Sequence, residues 1–299
     1  MTDAPTQALD PGFERVACGY CGSSETTLYA QLEDWLCGLP GHFTMVRCTQ
    51  CGVLRLNPRP DRDTIGRYYL DDYKPFADTL SIPSALENRI RAWSLAYGLR
   101  RRVRVTARHQ PTGRLLDVGC ATGLFLDAAQ RYGRWEVQGV EPSPSAATFG
   151  RERLELDIVQ GAFADADLDE ASFNVVTMWD VLEHLHDPVA AVQKASRLLQ
   201  PGGILIVRVP HLESIGARIF GRYWAGLDAP RHLHVFPRQV LTEMMRQADL
   251  HPLAWQCWGS YHIFALSLEF WLRSRRSALL HEPPWQQVLL SFPMRLLAL

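Results

Sequence analysis

Two CxxC pairs, Cys18-Gly-Tyr-Cys21 and Cys48-Thr-Gln-Cys51, are separated by 26 residues, and each runs directly into a glycine, Gly22 and Gly52. Four thiolates in two tight knuckles form a tetrahedral donor set. Zinc is the ion whose structural sites are closed by four such soft ligands. Glycine supplies the positive φ angles that knuckle turns demand. Residues 1–60 are rich in Gly, Cys, Pro and Thr, with short apolar runs such as 43–46 and no helical period. A region this small builds little core, so a bound metal would supply much of its folding energy. A redox dithiol, or four unpaired buried thiols, is the other reading of the same spacing.

A second signal is the run Leu115-Leu116-Asp117-Val118-Gly119-Cys120-Ala121-Thr122-Gly123. It reads as a buried strand that turns into a helix near Leu124, with glycines that let backbone approach a ligand where open α/β sheets bind cofactors. The loop has GxxxG after an aspartate and not GxGxxG, so a bound pyrophosphate is the poorer fit. Glu141, 24 positions after Asp117, falls at the end of the next strand. A carboxylate there can accept both hydroxyl protons of a ribose. Histidines form two clusters: His184 with His186, and His232 with His234 inside Trp224-Ala-Gly-Leu-Asp-Ala-Pro-Arg-His-Leu-His-Val-Phe236. Imidazole titrates near neutrality, which suits it to take a proton from an acceptor hydroxyl or carbon acid.

These residues need a scaffold. Short Val, Ile and Leu runs at 115–118, 136–140, 157–160, 174–178 and 204–209 alternate with amphipathic stretches such as 189–199, the pattern of right-handed βαβ units and a mostly parallel sheet. Pro201-Gly202-Gly203 reads as a helix stop before the fifth strand. No later run reads clearly as a further strand. Residues 70–109 have helical spacing and carry Arg89, Arg91, Arg100, Arg101, Arg102, Arg104 and Arg108, either a solvated face or a phosphate-binding one. Apolar patches at 261–272 and 288–299 are interrupted by arginines and prolines and fall short of a membrane span. Core helices with a homodimer face are one reading of them, and an interfacial helix anchored by Trp271 and Trp285 the other.

Between about 114 and 209 the chain resembles the class I S-adenosylmethionine-dependent methyltransferases. The resemblance implies an α/β, Rossmann-like doubly wound fold with a mostly parallel sheet, joined to a small N-terminal zinc-ribbon-like module and a helical linker. The implied organisation is a zinc-binding module at 1–60, a linker at 61–110, the cofactor domain at 111–260 and an apolar helical segment at 261–299. It also implies that Asp117, Gly119, Cys120 and Gly123 hold the amino-acid end of S-adenosylmethionine and that Glu141, followed by Pro142, holds the ribose. Ala162 and Phe163 would meet the adenine, with Phe163 where many relatives carry an acid, and Trp179-Asp180 would open the segment beside the methyl donor.

The segment around His232 is similar to the His-Leu-x-x-Phe stretch of sugar methyltransferases that carry an N-terminal zinc module, which implies His232 as the base. His184 is the second candidate, and a histidine that only holds a loop shut is the third reading. Arg231 would fork onto an acceptor phosphate or stay solvated; Asp228 would orient His232 or Arg231, or cap a turn.

With 299 residues, 47% hydrophobic and 21% charged, and a net charge of −1, the chain is neither a disordered tail nor a basic nucleic-acid coat. Its start, MTDAPTQALD, has no basic stretch leading into an apolar one, the expectation for a reducing, cytoplasmic setting. Membrane association through the C-terminal patches stays open. The leading expectation is methylation of the oxygen or carbon of a small-molecule acceptor: a sugar, a glycan precursor or a natural-product scaffold. Zinc would be structural and no nucleic acid is expected as a partner. The alternatives are an RNA or protein methyltransferase that uses the zinc module for recognition, and a cofactor-binding scaffold without turnover.

Overall fold

The computed structural model describes residues 10–69, 86–259 and 261–279. The N-terminal part holds β1 (Phe13–Glu14), β2 (Thr26–Leu32), β3 (Phe43–Cys48), β4 (Leu54–Leu56) and β5 (Arg59–Pro60). β2, β3 and β4 form an antiparallel sheet, and β1 pairs with β5. Alternation puts Phe43 and Met45 on the buried face of β3, where they meet Leu32, Leu54 and Leu56.

Next come α1 (Leu86–His109), β6 (Thr112–Val118), α2 (Leu124–Tyr132), β7 (Arg134–Glu141), α3 (Pro144–Arg153), β8 (Asp157–Gln160), β9 (Phe173–Trp179), α4 (Pro188–Leu198) and β10 (Leu199–Arg208). The five strands run parallel in the order β10-β9-β6-β7-β8, and the five apolar runs of the sequence fall on them, the last passing one residue beyond β10 at Val209. Among the described residues no later strand joins this sheet. Strand order reverses between β6 and β9, and open sheets bind ligands at the carboxyl ends beside such a switch. The helices start where capping predicts. Ser143 and Asp187 each accept an amide three residues on, with Pro144 and Pro188 at the first helical position.

One element differs from expectation. Leu198 ends α4, but β10 begins at Leu199 opposite Phe173 and shifts register before Ile204 pairs with Val175. Pro201 has no amide to donate and Gly202 adopts φ +81°, so Pro201-Gly202-Gly203 forms a bulge within the strand.

Beyond β10 lie α5 (Ile215–Phe220), β11 (His234–Val235), α6 (Arg238–Gln247) and α7 (Tyr261–Leu279). β11 pairs antiparallel with β4, His234 opposite Arg55 and Val235 opposite Leu54, and so completes the N-terminal sheet from the far end of the chain. Leu233, Val235, Trp224 and Leu227 share a core with β2–β4. On α7, Phe270 stacks on Trp35 while Ile263 and Phe264 are exposed. No described helix is long and apolar enough to cross a membrane. The apolar patch at 288–299, Trp285, and residues 70–85 of the expected helical segment lie outside the described residues.

Candidate active site

The four paired cysteines converge. Their sulfurs lie within 4.8 Å of one another, with Cys18–Cys51 and Cys21–Cys48 at 3.5 Å. A tetrahedron with arms of roughly 2.3 Å has edges of about 3.8 Å, so the donor set matches zinc in chemistry and in span. Gly22 and Gly52 take φ of +72° and +78°, and their amides close each knuckle onto Cys18 and Cys48.

The glycine loop is built around contacts to β7. The amides of Gly119 and Cys120 both reach the Val140 carbonyl, and Gly119 takes φ +65° with Val181 packed where a Cβ would stand. Asp117 and Glu141 are buried at the two carboxyl ends. Thr177 donates its hydroxyl to Asp117 at 2.6 Å; burial still pushes the Asp117 carboxyl up to about 7, against the pull of Thr177 and of nearby Arg102. Glu141 accepts the amides of Ala121 and Ser143, one on each oxygen at 2.8 Å, which leaves each oxygen a further lone pair. Burial raises its pKa, and those two amides oppose the rise.

Three expected cofactor contacts look elsewhere. Cys120 turns its sulfur over Gly139, where a Cβ would meet it at 2.5 Å, and its carbonyl accepts the Gly123 amide. Gly123 is glycine for packing, since φ is +81° and a Cβ would collide with Leu156. Phe163 is in the core with the Lys194 ammonium over its ring, so its face is not free for an adenine; the exposed surface of that stretch belongs to Ala162. Pro142 is exposed just after Glu141. Trp179 stacks on Trp258 at 5.9 Å, and Asp180, at φ +59°, pairs with Arg208 and lies 3.8 Å from Arg102.

On the other side of Gly119, past Val181, the chain makes a short helical turn, Leu182–His184, that brings Glu183 and His184 against His232. The two imidazoles meet edge to face with centroids 4.6 Å apart. Nδ1 of His232 lies 2.9 Å from the Gly226 carbonyl, and Nδ1 of His184 lies 3.0 Å from the Arg231 carbonyl. The Gly226 carbonyl can only accept, so His232 Nδ1 carries the proton and its Nε2 keeps a lone pair, whereas His184 Nδ1 faces both the Arg231 carbonyl, which accepts, and a hydroxyl, which can do either. The Tyr69 hydroxyl sits 2.9 Å from His184 Nδ1. Burial lowers both imidazole pKa values, that of His184 to about 3.

Arg231 does not offer its fork to an acceptor. The side chain is fully buried and all five N–H groups are committed: Nε and Nη2 to Asp228, Nη1 and Nη2 to Asp34, and Nη1 to the Tyr68 carbonyl. The expected phosphate contact is thus replaced by a latch that ties the His232 loop to the N-terminal module, with Asp228 as one arm. His186 and His234 serve the same junction. His186 Nε2 faces the Pro60 carbonyl, Arg59 donates to the His186 carbonyl, and His234 lies in β11.

Tyr69, Trp258 and Asp34 carry no motif that marks them in the sequence, whereas Arg102 stands in the arginine-rich stretch and Glu183 in the segment that resembles the one beside the methyl donor. Only the pairing of distant segments brings them to the site. Arg101 and Arg102 turn toward Trp258 and Trp179, whereas Arg104 and Arg108 on α1 are exposed.

A family profile described as a methyltransferase domain matches residues 86–254. Among curated relatives, a ubiquinone biosynthesis O-methyltransferase of Alkalilimnicola ehrlichii is 40% identical over 100 residues, covering 31% of this chain and 40% of the relative. The same-named protein of Actinobacillus pleuropneumoniae is 26% identical over 174 residues, covering 54% of this chain and 74% of the relative. The chain thus spans less than half of the first and about three quarters of the second. Among solved structures, a Thermotoga maritima methyltransferase described as a possible histamine N-methyltransferase aligns at TM-score 0.44 and 25% identity, over 55% of this chain and 76% of that one. A sugar N-methyltransferase of a Streptoalloteichus species aligns at TM-score 0.33 and 26% identity, over 36% and 46%. With the profile spanning more than half of its length and the cofactor strands of the class I sheet in place, the chain belongs to the methyltransferase-domain family and is an S-adenosylmethionine-dependent enzyme.

Proposed function

We propose that the protein methylates a hydroxyl oxygen of a small biosynthetic molecule, with the Glu183, His184 and His232 cluster as the place where that hydroxyl ionises. The observation that carries this reading is the position of the cluster: lone-pair-rich, with Glu183 fully buried and two residues past the Val181 side chain that packs on Gly119. Relatives named for O-methylation in ubiquinone biosynthesis support an oxygen acceptor over a carbon one.

In this reading Asp117 meets the amino-acid end of S-adenosylmethionine, with Trp179 and Asp180 beside it, and Glu141 accepts the ribose hydroxyls. Ala162 supplies backbone near the adenine. The bound cofactor supplies an activated methyl group on a sulfonium whose leaving group is already good, so the protein's own task is alignment and exclusion of water. His232 Nε2 takes the acceptor proton, with His184 packed against its ring. Asp228 and Arg231 position the loop. Zinc held by Cys18, Cys21, Cys48 and Cys51 is structural and stiffens the wall on which β11 lies.

Labelled S-adenosylmethionine offered with a panel of phenolic and sugar hydroxyl acceptors tests the reading. Transfer to at least one is expected, and His232→Ala should lower turnover about 100-fold with cofactor affinity unchanged. Adenosylhomocysteine binding without transfer to any hydroxyl, or undiminished turnover in the variant, would overturn it.

A further inference from the structure

Glu183 is fully buried and neither of its carboxyl oxygens has a hydrogen-bond partner. Such a group is costly in either protonation state. A carboxyl taken out of water with no partner on either oxygen bears the cost of desolvation uncompensated. Around it are two more groups of the same kind. One donor atom each from Glu183, His184 and His232 lies within 4.8 Å of the other two. His232 commits its Nδ1–H to the Gly226 carbonyl and so keeps an unprotonated Nε2, and His184 has its Nδ1 beside the Arg231 carbonyl and the Tyr69 hydroxyl. Three groups able to donate a lone pair thus lie together.

We infer that Glu183, His184 and His232 bind a divalent transition-metal ion of the manganese-to-zinc series, distinct from the zinc of the cysteine module. Two imidazoles and one carboxylate form a donor set of intermediate softness, which favours these ions over magnesium or calcium. His232 has its Nδ1–H on the Gly226 carbonyl, the second contact that metal-bound histidines commonly make. Three protein ligands leave positions open. An acceptor hydroxyl that coordinates there loses its proton to solvent more readily, its oxygen forms the new O–C bond, and the C–S electron pair stays on sulfur to give the neutral thioether. His232 is then a ligand, which replaces the base role given to it above while the place of the acceptor stays the same. This deepens the proposed function and rests on its placement of the acceptor at the cluster.

The test uses the full chain with zinc in the cysteine site and no acceptor or S-adenosylmethionine present. Manganese(II) is titrated and followed by the loss of its free-ion paramagnetic resonance signal, and bound metals are counted by elemental analysis. Saturable uptake of one manganese per chain is expected, with Glu183→Gln and His184→Gln each weakening it ~100-fold while zinc content stays unchanged. Retained zinc shows that a variant has folded; where one has not, the other decides. No uptake at millimolar manganese, or uptake equal in both variants, overturns the inference. Turnover that persists after a chelator has stripped the second ion but left the zinc also overturns it, and leaves the methyl-transfer reading standing. Tight manganese binding with no transfer to any hydroxyl removes that reading instead.

Discussion

The cysteine cluster and the histidine cluster contrast in how their parts reach one place. Each pair of thiols is held by a four-residue turn that closes on its own glycine, and only the β2–β3 hairpin is needed to bring the pairs together. The histidine cluster draws on Asp34, Tyr69, Glu183, His184 and the 228–232 loop, joined by a buried guanidinium and by a two-residue strand, β11. Local geometry fixes the first site and long-range pairing the second. The second is therefore the one that depends on the rest of the molecule, including on the first.

That dependence can be broken at its source. Cys48→Ser should abolish zinc binding and unfold β2–β4, since structural zinc supplies about 10 kcal/mol or more in small modules. Because β11 pairs with β4, amide exchange should accelerate at Leu233 and Val235 as well as in the module. Full protection of β11 in that variant would mean the two sites are independent.

The latch offers a smaller perturbation. Arg231→Met leaves the Asp34 and Asp228 carboxylates buried and unpaired and should cost roughly 3–5 kcal/mol in urea unfolding. Adding Asp34→Leu should recover part of the loss, which would show that the cost is uncompensated charge and not lost packing. Equal stability of wild type and Arg231→Met would deny the latch any role.

The cofactor end supplies a pH signature. The raised Asp117 carboxyl is protonated in the free protein below about pH 7. Its folded pKa lies above its unfolded one, so its contribution to stability is full below the unfolded value and is lost as pH rises through about 7. A cofactor ammonium favours the ionised form, so calorimetric affinity for S-adenosylmethionine should rise about tenfold from pH 6 to pH 8 and then level. Asp117→Asn should flatten that rise; a profile unaffected by it would place the titration elsewhere.

The smallest effects separate strain from collision. Gly22→Ala meets no atom within 4 Å, so only its φ of +72° is penalised, and a loss of about 1 kcal/mol is expected. Gly123→Ala adds a clash at 2.5 Å with Leu156 and should cost about 2–3 kcal/mol in the same thermal scan. Equal losses would mean that Leu156 moves aside.

The strands were legible because runs such as 115–118 and 174–178 are buried on both faces and so cannot alternate. The caps at Ser143 and Asp187 were legible because a side chain three residues from its amide is a local event. Glycine roles were legible only in part. Gly119 and Gly123 both demanded positive φ, but whether a ligand or a neighbour filled the missing Cβ depended on Val181 and Leu156. Arg231 illustrates the limit best. Its fork was expected on an acceptor phosphate or in solvent, and it is instead buried against the chain's own Asp34 and Asp228.

From sequence alone came the alternation of strands and helices, the thiolate set and the carboxylates at the two strand ends, since each rests on spacing along a few consecutive residues. Which charges are satisfied internally, which carbonyl each histidine meets, and that Glu183 is buried without a partner were decided only when segments as far apart as Asp34 and Arg231 came into contact. Burial and pairing are properties of the packed interior, where a polar group's energy depends on neighbours that the linear order does not name.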